Sequence, residues 1–161
     1  MATSDNARQA KRALIVCCIE DSSESSMSAL MFAARMTRGR SSRGGADLVV
    51  VCVSRPPLFV LLDPAVDFRW PGIAADVEAM IAKVSALFGL AIRVDEVGGW
   101  SQAEIVSIAR ARGSDAVILP MLDDDAGPLK RWNRRSLVSG LIDRTHAVVL
   151  DEYESLFAGN P

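Results

Sequence analysis

Short, wholly apolar runs, each followed by a stretch of helical period, dominate this chain. Ala13-Leu14-Ile15-Val16-Cys17-Cys18-Ile19 is the first and Leu48-Val49-Val50-Val51-Cys52-Val53 the second; Ala116-Val117-Ile118-Leu119 and Ala147-Val148-Val149-Leu150 are two more. The first, seven residues bounded by a polar cluster, is the pattern of a strand buried on both faces, because a half-wet strand alternates instead. The segment Ala91 to Val97 does alternate, with Ile92, Val94 and Val97 set against Arg93, Asp95 and Glu96, as an edge strand does.

Between these strands the period changes. From Asp21 to Arg38, Met27, Leu30, Met31 and Ala34 fall at helical spacing, with Asp21 or Ser22 expected as N-cap and Gly39 as the stop. Ile73, Val77, Met80, Ile81, Val84, Leu87 and Phe88 form one wide apolar stripe closed by Gly89. Ser101-Gln102-Ala103-Glu104 is a capping box, with Trp100 and Ile105 placed for a hydrophobic staple, and the helix it opens ends at Gly113. Leu122 to Arg135 reads as a polar loop, after which Leu137, Val138, Leu141 and Ile142 predict a last helix. Ser54 to Pro71 is the longest irregular stretch, and its apolar middle, Leu58 to Leu62, is expected to cover something. Strands that alternate with helices of this length make βαβ units, hence a parallel sheet with helices on both faces. The expectation is a single α/β domain, a three-layer sandwich over residues 12–151, with tails at 1–11 and 152–161.

Composition excludes several classes. A chain of 161 residues fits one domain and buries a core without a staple. Eighteen Lys and Arg against twenty Asp and Glu give −2, whereas a general nucleic-acid binder is strongly basic. No apolar run approaches the ~20 residues of a membrane-spanning helix. Cys17, Cys18 and Cys52 lie inside apolar runs, and adjacent Cys17 and Cys18 point to opposite faces of any strand, so they are expected as free, buried core thiols. Free thiols and a polar, charged start without a signal peptide point to the cytoplasm. One histidine, His146, and no C-x-x-C leave almost no means of building a zinc site.

In an open parallel sheet the site forms beyond the carboxyl ends of the strands, where the strand order reverses. If the first and fourth strands are neighbours, Glu20-Asp21-Ser22 and the loop Pro120 to Gly127 converge there. The second loop carries Asp123-Asp124-Asp125, and Lys130, Arg131, Arg134 and Arg135 follow it. The aspartates read as a solvated loop or, with Glu20 and Asp21, as a seat for a divalent cation. The cations read as a solvated face or as an anion contact near the start of the last helix, with Trp132 marking a contact surface. No dinucleotide fingerprint, Walker A loop or G-x-S-x-G is present, and Ser139-Gly140 reads as a packing contact.

With these elements in order, the chain resembles the universal stress protein family over roughly residues 11–151. The first strand and turn, Leu14 to Ser26, look like that family's apolar strand, Asp-Gly-Ser and Ser-rich cap. Ala29 to Arg38, Leu48 to Val53 and Ala103 to Met121 are similar to their counterparts. The resemblance implies a five-stranded parallel sheet in the order 3-2-1-4-5, of the adenine nucleotide alpha hydrolase-like type. It also implies a homodimer through the last strand; Ala147 to Leu150, as a sheet edge with free N–H and C=O groups, is expected to pair antiparallel with its copy across a two-fold axis, which puts His146 and Asp151 near the seam.

Nucleotide-binding members carry G-x-x-G, nine residues, then G-[S/T]. Here Pro120 and Asp123 stand at the first two glycine positions, and Asn133 and Arg134 follow nine residues later, or Arg135 and Ser136 if the loop carries a small insertion. Glu20 stands where the family ends its first strand in Asp, and Asp21 replaces the next glycine. Together with Val53, these are the candidate ligand-site residues. Close backbone approach to phosphate needs glycine, so the expectation is a non-catalytic module without bound ATP, cofactor or metal. It would act in stress response or regulation through homodimerisation and protein partners, with no nucleic-acid or membrane role. The alternative is a member that holds ATP or another adenine nucleotide in a divergent mode, with Mg²⁺ on the acidic loops and Arg134 or Arg135 on phosphate.

Overall fold

A computed structural model describes residues 12–41, 45–54, 62–63, 65, 72–98 and 102–151. The first apolar run is strand β1 (Ala13–Ile19), and its neighbours are β2 (Ala46–Ser54) on one side and β4 (Ala116–Ile118) on the other, both parallel to it. β3 (Ile92–Gly98) pairs with β2, and β5 (Val148–Leu150) pairs with β4, again parallel. The order is therefore β3-β2-β1-β4-β5, a five-stranded parallel sheet with β3 and β5 at its edges, as the resemblance implied.

Strand alternation divides the core in two. Ile15, Cys17, Ile19, Leu48, Val50, Cys52 and Ile118 belong to one apolar layer, with α1 (Glu24–Ser41) and α2 (Ala75–Phe88) over it. Val16, Cys18, Val49, Val51, Val117 and Leu119 belong to the other, under α3 (Gln102–Arg112) and α4 (Pro128–Arg144). Cys17 and Cys18 thus face opposite layers, and all three cysteines are free and buried. Each fully buried Ile, Leu or Val contributes about 1.5–3 kcal/mol relative to exposure. Both faces of the central strands are covered, and their carboxyl ends carry the site. At the opposite end, Asp115 ties three strands together: its carboxylate accepts from the Leu14 N–H at 2.7 Å and its carbonyl accepts from the Val148 N–H at 2.9 Å.

Local signals hold at several ends and fail at others. α2 closes as its stripe required, with Gly89 left-handed at φ 61° and the N–H of Leu90 on the Ser85 carbonyl at 3.1 Å. α1 runs through Gly39 to Ser41 instead of stopping there. Its cap is Ser23, whose Oγ accepts from the Ser26 N–H at 3.3 Å, while Asp21 braces the turn from outside the helix. The largest departure is α4. It begins at Pro128, so most of the expected loop Leu122 to Arg135 is helix. Pro is favoured in the first turn, where its missing N–H costs nothing, and the Leu, Lys and Arg that follow are good helix formers. The expected N-cap Ser101 and most of Ser54 to Pro71 lie outside the described residues, as do the tails 1–11 and 152–161.

Candidate functional site

β1 and β4 are adjacent but are separated in sequence by β2, β3 and three helices, so the turns after them diverge to opposite faces of the sheet. That divergence opens a crevice of about 360 Å³ at the carboxyl ends of the strands. Its apolar lining is Cys18, Val53 and Leu119 from the strand ends, with Ile105 of α3 and Leu137 of α4. Glu20, Asp21, Glu24 and Asp123 bring carboxylates to it, and Lys130 and Arg134 of α4 bring cations.

Much of this polar rim is already engaged. The Asp21 carboxylate accepts from the Ser23 N–H at 3.1 Å and from the Ser26 hydroxyl at 2.9 Å, which commits it to the start of α1. Ser22 next to it donates its hydroxyl to Asp76 at the start of α2, and that bond holds the Asp76 carboxyl below its ordinary range. Across the crevice, the arginines of α4 point back at the loop that leads into it. Arg131 donates to the carbonyls of Ala126 at 2.9 Å and Asp124 at 2.7 Å, and Arg134 donates to that of Pro120. The Gln102 amide closes the α3 side by donating to the Asn133 carbonyl at 2.7 Å.

Of the nine candidate residues, the crevice brings together Glu20, Asp21, Val53, Pro120, Asp123, Asn133 and Arg134. Arg135 lines a separate groove on the other side of α4, and Ser136 is exposed and lines neither. Sequence reasoning missed Gln102, Ile105 and Leu137, and gave Lys130 only as one of a group of cations on a loop. A helix begun at Pro128 would have found three of the contacts, because Lys130, Arg134 and Leu137 then share one face at i, i+4 and i+7. The one glycine of the loop, Gly127, is the N-cap of α4 at φ −64°, and a side chain there would meet open space. It serves the helix start and no close backbone approach.

The chemistry at hand is limited. Burial pushes the Cys18 thiol up to about 12 despite the opposing pull of Arg134, so it stands protonated at neutral pH and is no nucleophile. Among the described residues, no three of His, Cys, Asp and Glu converge as metal ligands, so the cation seat suggested by the Asp triplet has no ligand set. His146 is exposed in the link to β5, and Gly140 of α4 faces Val106 of α3, whose Cγ2 would lie 3.4 Å from a Cβ added at Gly140, so the glycine stands at a packing contact. Trp132 is 65% exposed, beside the equally exposed Leu129 on the same helix. No described helix is long and apolar enough to cross a membrane.

Sheet order, helix placement and switch-point crevice define an α/β sandwich of the universal stress protein type. Neither a protein-family model nor a curated protein matches the chain, but solved structures do. A universal stress protein crystallised in complex with cAMP superimposes with a TM-score of 0.56 at 16% identity, covering 86% of this chain and 94% of that one. A universal stress protein from Archaeoglobus fulgidus DSM 4304 superimposes with a TM-score of 0.55 at 17% identity, covering 88% of this chain and 45% of the longer one. At such identities the likeness is one of fold.

Proposed function

We propose that this chain is a universal-stress-protein-like binding module of the cytoplasm. It has no catalytic activity and does not hold ATP in the family's usual mode, and it acts in stress response or regulation through self-association and protein partners. The observation that carries this reading is the loop between β4 and α4. Arg134, one of the two cations that line the crevice, donates to the Pro120 carbonyl, Arg131 on the same helix donates to the carbonyls of Ala126 and Asp124, and Pro120 and Asp123 present side chains where a phosphate cradle needs bare backbone. Opposing charges add to this, since two like unit charges ~4 Å apart repel by ~4 kcal/mol at an effective dielectric of about 20. Self-association is supported by β5, a sheet edge whose Val148 is 59% exposed, because natural proteins seldom leave such an edge bare. Pairing β5 with its copy across a two-fold axis would place His146 and Asp151 near the seam.

A second reading is favoured by the size of the crevice and by the cAMP held in one of the similar structures. In it the chain binds an adenine nucleotide in a divergent pose, with Lys130 or Arg134 on the phosphate. Calorimetric titration of the purified protein with ATP and with cAMP, each with and without Mg²⁺, separates the two. Absence of heat in the metal-free titrations supports the first reading, and a micromolar constant there overturns it. Sedimentation tests the dimer on its own: a species of the chain's mass, 17.3 kDa, at micromolar concentration removes self-association from the proposal.

A further inference from the structure

β3 is the outer strand on the side of the sheet away from β5. It runs in register with β2 over seven residues, Ile92 to Gly98, whereas β5 meets β4 over three. Neither a bulge nor a proline interrupts it, and among the described residues no strand pairs with its outer side. Such an edge is a template for another strand, and natural proteins cover it, break it or pair it. The side chains of β3 alternate. Val97 is buried in the layer under α3 and α4, so Arg93 and Asp95 point to that same face, where Asp95 forms an ion pair with Arg112 of α3. Ile92, Val94 and Glu96 share the other face, on which Ile92 packs against the core and Val94 is 37% exposed. Arg93 is exposed and makes no ion pair among the described residues.

We propose that β3 pairs antiparallel with β3 of a second copy of this chain, across a two-fold axis through Val94. Residues directly opposite each other in such a pair point to the same face, so the axis passes through one residue, which meets itself. The charges select which one. An axis at Arg93 sets Arg93 against Arg93, one at Asp95 sets Asp95 against Asp95, and one at Glu96 sets Glu96 against Glu96. Each is a like pair that disfavours its register, and an axis nearer either end of the strand shortens the overlap. With the axis at Val94, Arg93 of each copy lies opposite Asp95 of the other, Val94 meets Val94, and Ile92 lies along the stem of Glu96. Arg93 thereby meets a carboxylate that Arg112 already orients, and it does so twice across the seam. The proposal stands on the edge opposite to β5 and does not depend on pairing through β5. Where both edges pair, the sheet continues from copy to copy into an open chain instead of closing as a dimer.

A cysteine on the axis reports the pairing directly. Directly opposite Cα atoms in an antiparallel pair are about 4.5 or about 5.5 Å apart, inside the ~4.4–6.8 Å span of a disulfide. The three native thiols are buried and stay out of the reaction. Val94→Cys in the full chain, oxidised with copper phenanthroline at micromolar concentration, is expected to form a disulfide-linked dimer. Leu129→Cys, at an exposed position on α4, gives the rate of chance collision. The Val94→Cys rate should exceed it roughly tenfold or more, because pairing holds the two thiols at a local concentration far above micromolar. Adding Arg93→Glu sets like charges opposite each other and should bring the rate down to that of Leu129→Cys, while Arg93→Lys should keep it fast. A Val94→Cys rate no higher than the control overturns the proposal. So does a fast rate that Arg93→Glu leaves unchanged, since the charges then do not set the register. Sedimentation separates this contact from the one at β5: a dimer that Arg93→Glu dissolves belongs to β3. A dimer that persists in that variant, beside slow cross-linking at Val94, belongs to β5 alone and overturns the proposal.

Discussion

The guanidinium of Arg134 donates to the carbonyl oxygen of Pro120, 14 residues earlier in the chain, so α4 holds down the loop that leads into it. The same side chain lines the crevice on one side and the groove beside β5 on the other. A cation spent on a backbone carbonyl is a structural tie, and its loss should be felt by the loop before it is felt by the sheet.

Arg134→Ala should therefore lower stability by about 1.5 kcal/mol, the lower end for a hydrogen bond from a charged donor, since this one is partly solvated. Urea unfolding should show a lower midpoint with an unchanged slope. Amide exchange should speed up over residues 121–126 and stay unchanged in β1 and β2. Equal acceleration throughout would mean that Arg134 supports the whole fold and not the loop.

The fold was largely legible because each strand buried on both faces announces itself as an unbroken apolar run, and because the order of strands and helices admits few topologies. The crevice followed from one step more, the adjacency of β1 and β4, which brings Glu20 and Asp21 to the Pro120–Asp123 turn. The side chains that α4 contributes were not legible, because the start of that helix was placed some residues too late. Arginines and lysines in a row look like a loop when only hydrophobic periodicity is read. The Gly-Pro pair at 127–128 carried the missing signal, as an extended residue before a proline in the first turn. The partners of Arg131 and Arg134 could not be read at all, since backbone carbonyls leave no trace in the sequence.

Asp123→Gly should restore little affinity for ATP. The substitution removes one carboxylate and opens one stretch of backbone, but Pro120 still has no N–H to offer, and Arg131 and Arg134 remain tied to loop carbonyls. Calorimetry on the variant should match the unmodified protein within a few-fold. A gain of two orders of magnitude would show that the aspartate alone keeps ATP out.

Leu141 is fully buried on the inner face of α4, and Ile142 next to it is 60% exposed. Leu141→Ala should cost about 2–5 kcal/mol through lost burial and the cavity left behind. Ile142→Ser, on the outer face, should stay within about 1 kcal/mol. Chemical denaturation of the two variants checks the phase of the helix directly, since a helix rotated by one residue would exchange their effects.

The three thiols give the chain a sign in its response to alkali. Burial pushes Cys17 up, Cys18 to about 12 and Cys52 to about 11, with Glu96 and Glu78 adding to the shift at Cys52. A thiol whose folded value is raised holds its proton more tightly in the native state than in the unfolded one. That contribution to stability is complete below the ordinary thiol range, and it is lost progressively as the pH rises from there toward 12. Stability measured by urea unfolding should accordingly fall between pH 8 and pH 10, as thiolates form in the unfolded chain first, and replacing Cys18 by Ala should flatten that slope. At pH 8 without denaturant, a thiol-specific disulfide reagent should titrate none of the three within minutes, and all three once the protein is unfolded. Arg134→Ala should leave Cys18 still less acidic, because the guanidinium is the main group that favours its thiolate. Rapid labelling of Cys18 in the folded protein would show instead that the crevice floor is open to solvent.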